Sequence, residues 1–298
     1  MSDLATLTLD YIQDPSIPLA WPGLAGRLVE NLKMECGLDL TSYSTSTWVK
    51  GEASPPLQLL AFNGIRRISP QVMVEVLSPA AQQRYGVAGC RFWQIDELAK
   101  SSALDILACA FDAILAVPEL ADSVAQLARR IHLLVPSDDA YDVNFSEPDL
   151  PFSVFVSIPL RPMGDIRWRL AEAIIHEACH LQLSLVECQV PLIASPQAQH
   201  YSPWRKSARS LGGVLHGLYV FGVIAEWMAK SSAPMLLVRP RLAQIASEAL
   251  QIDGFSDASG LTPAGATLVR NILARISAAA SFSATGESKN EKSFQDTR

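Results

Sequence analysis

Residues 176–180 read His-Glu-Ala-Cys-His, an H-E-x-x-H pattern. Two histidines four apart on a helix share one face, about 5–6 Å apart along the axis, so their imidazoles converge on one metal ion. Glu177 stands beside them as a base or as a group that positions its neighbours. The pattern points firmly to a metal site and says little about which metal. Candidates for a third ligand are Glu187, His200, His216 and Glu226. Glu187 continues the helix of His180 and lies about 10 Å further along the axis, too far to share the ion. His216 and Glu226 share a downstream helix about 15 Å apart, so only one can serve. Gly217 beside His216 allows another helix to approach closely, so His216 is a candidate alongside Glu226. His200, in a loop, follows among the histidines, and His132, after an arginine pair at the start of a strand, reads as structural.

The completed ligand set decides the chemistry. Zinc held by two histidines and a carboxylate, with a water whose proton passes to Glu177, is the arrangement of a metallopeptidase. Fe(II) with three protein ligands on one face leaves three open positions, two for the keto acid of 2-oxoglutarate and one for O2. That second chemistry also needs a cation for the distal carboxylate of the co-substrate, and a bidentate arginine suits it best. Arg205 and Arg209 precede the His216 helix; the plainer reading of either is a surface basic cluster with Lys206.

These groups need elements to hold them. The stretch 151–159 alternates, with Phe152, Val154, Val156 and Ile158 on one face and Ser153, Phe155 and Ser157 on the other, which predicts a half-buried strand. Laid beside the metal helix, as in zincin active sites, it would offer an edge to a peptide backbone. Pro159, Pro162 and Gly164 turn the chain, and Asp165 fits an N-cap. Leu170, Ile174, Ile175 and Leu181 form the buried side of the helix, and Glu172, one turn before His176, is placed to accept its second ring N–H. Upstream, 131–135 reads as a strand, 95–128 as helix broken near Pro118, 71–77 as helix, and 137–149, with five carboxylates, as an acidic loop. Downstream, 211–229 is an apolar helix, Pro240 interrupts the approach to a helix over 242–250, and a last amphipathic helix runs to about residue 277.

Composition narrows the class. The chain has 298 residues, is 49% hydrophobic, carries a net charge of −6 and has five cysteines without CxxC spacing. This describes a folded cytoplasmic protein with free thiols, and the acidic balance argues against nucleic acid as the main partner. The stretch 211–229 has the length of a membrane span, but His216 and Glu226 within it favour a buried helix, so no membrane role is expected. The expected architecture is α+β, predominantly helical with a small sheet beside the metal helix. Neither a cupin nor a jelly roll suits ligands carried on helices. One catalytic domain over 1–280, with an N-terminal helical subdomain over 1–130 as an option, and a disordered tail over 281–298 complete the outline.

The HEACH run, the segment Tyr201-Ser202-Pro203-Trp204-Arg205, Arg209 and Leu215-His216-Gly217 together resemble the HExxH-motif peptide-modification proteins of ribosomally synthesised peptide pathways. The match spans roughly 152–226, about a quarter of the chain. The resemblance implies an Fe(II)- and 2-oxoglutarate-dependent hydroxylase that uses O2 at the β-carbon of a side chain in a precursor peptide. It implies His176, His180 and His216 as ligands, Arg205 or Arg209 as the holder of 2-oxoglutarate, and Glu177 as a supporting residue and not a hydrolytic base. Three histidines depart from the commoner two-histidine, one-carboxylate set. The alternatives are a zinc peptidase that trims a precursor, and a peptide-binding accessory in which HEACH is a buried histidine pair.

Overall fold

The computed structural model describes residues 3–36, 59–60, 72–138, 142–147, 150, 152–162, 164–252 and 254–285. The Ser/Thr-rich stretch 42–50 lies outside them. The chain forms two compact units, one made of Pro22–Gln182 and the other of Met1–Trp21 with Leu183–Arg298. Both follow the expected class, predominantly helical with small sheets.

In the first unit the helices are α2 (Leu24–Cys36), α3 (Pro79–Tyr85), α4 (Ile95–Leu98), α5 (Ala103–Leu115) and α6 (Pro118–Leu127). They accompany a sheet of β1 (Leu59–Leu60), β2 (Met73–Glu75), β3 (Cys90–Phe92), β4 (Arg130–Pro136), β5 (Asn144–Phe145) and β6 (Ser153–Ser157). The order is β1-β2-β4-β6-β5, with β3 also on β4. The inner strands β2, β4 and β6 run parallel, and β1, β3 and β5 are antiparallel additions.

Three expectations are corrected here. Residues 73–75, read as helix, form β2, because Val74 and Glu75 are buried next to β4 and the pairing overrides a short apolar run that fits either structure. The strand at 153–157 is buried on both faces, as is usual for the inner parallel strands of a sheet, and β6 pairs parallel with β4. Its serines tolerate burial because they are small, and Ser157 Oγ accepts the Val143 N–H at 2.8 Å. The acidic stretch 137–149 is not all loop: it supplies β5, the edge of the sheet, so the edge next to β6 belongs to residues 144–145 and not to 153–157.

Residue Phe155 ties this sheet together. It stacks on Phe145 across the ladder at 4.5 Å, on His132 at 4.6 Å, and meets Phe92 edge-on at 6.2 Å. Below them Leu77, Tyr85, Leu134 and Leu150 close the core. His132 is structural, as expected. It is fully buried, its Nδ1 lies 3.0 Å from the Glu75 carbonyl, and burial pushes its pKa down to about 3, so it is neutral.

In the second unit the elements are α1 (Asp3–Gln13), the antiparallel pair β7 (Gln199–Ser202) and β8 (Ser207–Ser210), α8 (Leu211–Lys230), α9 (Met235–Leu250) and α10 (Pro263–Thr285). Helix α8 is the centre, burying twelve residues. It is long and apolar enough to cross a membrane, yet 67% of its apolar window is buried against protein. Tyr219 stacks on Trp21 at 4.9 Å and donates to the Leu19 carbonyl. A Cβ at Gly222 would stand 2.6 Å from Ile272 of α10, so glycine is what lets those two helices meet. Pro240 does not interrupt α9: it occupies the second turn, where the carbonyl it leaves without a donor belongs to Leu236, which is 85% exposed and reaches water. Helix α10 continues to Thr285, beyond the expected end near 277; the rest of the tail lies outside the described residues.

Candidate metal centre

The HEACH residues lie in one helix, α7 (Ile166–Gln189). Asp165 precedes it at the predicted cap position, and its carbonyl takes the Trp168 N–H at 3.0 Å. Leu170, Ile174, Ile175, Ala178 and Cys179 are all but fully buried, fixing the helix by its apolar face. Leu181 is half-buried, as are His176 and His180, so the imidazoles keep one side open.

The i, i+4 spacing brings the two rings together. His176 Nε2 and His180 Nε2 lie 3.1 Å apart, with ring centroids 4.8 Å apart and planes at 69°. Without an ion, one Nε2–H donates to the other nitrogen. With one, metal–nitrogen bonds of about 2.0–2.1 Å reach both atoms at an angle of roughly 95–100°, between octahedral and tetrahedral values. The pair therefore suits Fe(II) and zinc equally. Among the described residues no group of three His, Cys, Asp or Glu side chains is gathered around one point.

Glu177 is placed differently from a residue waiting for water. It is 5% exposed, and each oxygen accepts one side-chain hydrogen bond: Oε1 from Asn144 Nδ2 and Oε2 from Ser146 Oγ, both at 2.7 Å. Burial raises its carboxyl above the usual glutamate range, and the bonds from Ser146 and Asn144 oppose that rise. The motif glutamate thus fastens the edge strand β5 to the helix. A chain of contacts continues from it through Phe145 to Phe155 and His132 in the sheet core. Asn144 and Ser146 escaped the sequence reading, hidden in a stretch dominated by carboxylates. Of those, Asp142 pairs with Arg169 of α7 at 2.9 Å, a partly exposed bridge that adds little. Between the histidines, Cys179 is fully buried, and burial with the nearby Glu177 charge keeps its thiol protonated.

The other candidates fall in the second unit. His216 Nε2 lies 3.0 Å from Glu187 Oε2, a half-buried pair between α8 and the end of α7. If Nε2 is the protonated nitrogen, it donates to the carboxylate and Nδ1 is the atom left for a metal, as in histidine ligands backed by a carboxylate. Glu226 is engaged in the scaffold: it accepts the Leu19 N–H at 2.9 Å and is bridged by Arg275. His200 sits in β7 against Phe255, with ring centroids 5.0 Å apart. Arg205 and Arg209 are exposed, one in the turn between β7 and β8, the other on β8 opposite His200. Trp204, beside them, rests on α8: a Cβ at Gly217 would come within 2.7 Å of its ring, and Phe221 stacks on it at 5.2 Å. Gly217 therefore seats a tryptophan, where the sequence suggested a neighbouring helix.

No protein-family model matches this chain, and no characterised protein matches it significantly.

Proposed function

We propose that the chain is a metal-dependent enzyme centred on His176 and His180, and specifically an Fe(II)- and 2-oxoglutarate-dependent hydroxylase of a peptide side chain. The observation that carries the metal reading is the 3.1 Å approach of the two Nε2 atoms on an open side of α7. His176 and His180 would hold the ion; His216 is proposed as third ligand, and Arg205 or Arg209 as the carboxylate holder, on the motif resemblance. The metal would supply a site where O2 and 2-oxoglutarate react together, with one oxygen atom going to the peptide C–H and the other to succinate, and CO2 released. The chain's own contribution is to orient: the buried face of α7 fixes both imidazoles, and Glu177 holds β5 beside them. Helix-borne ligands also favour this reading over a cupin. The expected partner is a ribosomally synthesised precursor peptide in the cytoplasm.

What favours the oxygenase over a zinc peptidase is Glu177, whose two oxygens are both taken by side chains of the edge-strand segment. A hydrolytic base must turn a lone pair to metal-bound water, and Glu177, buried and also bonded by the Ser146 backbone N–H, has little room for one. The raised carboxyl of Glu177 favours the peptidase, because it brings the group nearer the range of a working base. The experiment is anaerobic titration with Fe(II) and 2-oxoglutarate, following the metal-to-ligand charge-transfer band. A band lost in His176→Ala supports the proposal; no band, with zinc held and a peptide cleaved, replaces it with the peptidase.

A further inference from the structure

We infer that the β7–β8 hairpin is a docking strip for an acidic polypeptide segment, which adds to β8 as a third strand. Two independent observations converge on this hairpin.

The first is charge. Residues 191–247 carry six cations, Arg205, Lys206, Arg209, Lys230, Arg239 and Arg241, and one carboxylate, Glu226, in a chain of net charge −6. Glu226 is already committed to Arg275 and the Leu19 N–H. Arg205, Lys206 and Arg209 are exposed, and among the described residues none of them has an ion-pair partner. Arg241 is drawn towards the same place: its guanidinium lies over Phe221 at 5.2 Å, the ring on which Trp204 also stacks.

The second is an open backbone edge. Among the described residues this sheet has two strands, β7 and β8, and all four residues of β8 are exposed. The Leu211 N–H bonds to the Ala198 carbonyl, and the register pairs His200 with Arg209 and Ser202 with Ser207. Antiparallel alternation then turns the backbone groups of Arg209 and Ser207 inward and leaves outward both groups of Ala208 and the N–H of Ser210, whose carbonyl opens α8. An outward row of this kind is a template for another strand, and main-chain bonding there needs no particular side chain. The flanking cations select carboxylates. The strip is only a few residues long within an acidic chain, which suits a short peptide better than a nucleic-acid backbone.

The inference goes beyond the proposed chemistry and does not need the metal. Its test is fluorescence anisotropy on the full chain, with a labelled peptide of about ten alternating Glu and Thr residues, its Lys/Thr counterpart, and an oligothymidylate of similar length. The Glu/Thr peptide should bind saturably at low salt and weaken by about tenfold in about 0.3 M salt. Lys206→Glu should weaken it several-fold, and so should Ala208→Pro, which removes an outward N–H from an edge strand where proline is tolerated. His176→Ala should bind as the wild type does, so a failed oxygenase leaves this result readable. Equal binding by Lys206→Glu and the wild type, equal binding of the Lys/Thr peptide, or tighter binding of the oligothymidylate would each overturn the inference. If Ala208→Pro does not fold by circular dichroism, Lys206→Glu carries the test alone.

Discussion

Replacing Glu177 separates a residue that fastens a strand from one that does hydrolysis. Glu177→Ala removes acceptors from Asn144 Nδ2 and Ser146 Oγ and leaves a small buried void. Bonds to an ionised group contribute about 1.5–3 kcal/mol each, but the carboxylate's burial offsets part of that, and both half-buried donors can turn to water. A net loss of about 2–3 kcal/mol is expected. Glu177→Gln keeps the shape: its carbonyl accepts from one donor, and a flipped Asn144 amide can accept from its NH2, so the loss should be about 1 kcal/mol or less. The pH dependence has a definite sign. Because the folded state holds the Glu177 proton more tightly than the unfolded state, this residue's contribution falls as pH rises from the ordinary glutamate range to its raised folded value. Glu177→Gln lacks that slope. The assay is urea denaturation of the three proteins on both sides of the window, with amide exchange at residues 143–146. Exchange there should speed up in Glu177→Ala and stay near wild type in Glu177→Gln. If Glu177→Ala unfolds at the wild-type urea concentration with unchanged exchange, the fastening role is wrong. If the wild type cleaves a peptide and Glu177→Gln binds it without cleaving, the oxygenase proposal gives way to the peptidase.

Three further outcomes follow. His176→Ala and His180→Ala should each lose Fe(II) binding, by at least about tenfold in affinity, while melting near the wild-type temperature, because both rings are half-buried; dialysis with metal analysis checks this. His132→Phe keeps the stack on Phe155 but not the titration: wild-type stability should fall as pH drops from about 6.5 towards about 3, because the unfolded state takes up a proton that buried His132 refuses, and the variant should lack that part of the slope in acid denaturation. Gly217→Ala should cost about 1–2 kcal/mol in thermal melts, overpacking against Trp204 outweighing the helical gain, whereas Gly212→Ala, whose Cβ would meet only Ile193 at 4.0 Å, should be neutral or stabilising.

How much of this was legible depended on whether a signal was local. The i, i+4 histidines, the start of the helix after Asp165 and the apolar face of α7 are properties of a single helix, and the structure follows the sequence expectation there except at Leu181, which is half-buried. The strand expected at 131–135, an apolar run broken only by His132, was equally plain, and β4 extends it by one residue at each end. What could not be read was which strand lies at an edge. Alternation at 151–159 suggests one solvated face, but 153–157 is buried throughout, and what covers the second face of a strand is set by non-local packing that alternation does not report. The two residues of β5 carry no strand pattern of their own. Asn144 and Ser146 become functional candidates only once Glu177, over thirty positions away in the chain, is found against them.

That dependence shapes the choice between chemistries. The histidine pair is spaced for either metal, so its geometry does not discriminate. The motif glutamate does, through the groups that hold it. Donors on both oxygens stabilise the ionised form and hold it in place, which suits a residue that keeps an edge strand beside an open imidazole pair. Burial acts against ionisation and suits a base. The balance is set by Asn144 and Ser146: removing either side-chain donor should raise the Glu177 carboxyl further, and removing Asn144 Nδ2 leaves Oε1 without its side-chain donor, whereas the Ser146 N–H stays on the carboxylate after Ser146→Ala. Asn144→Ala is therefore the substitution that moves this site towards hydrolytic geometry. If it creates no peptide cleavage in the zinc-loaded protein while weakening the hold on β5, the role of Glu177 is to fasten the strand.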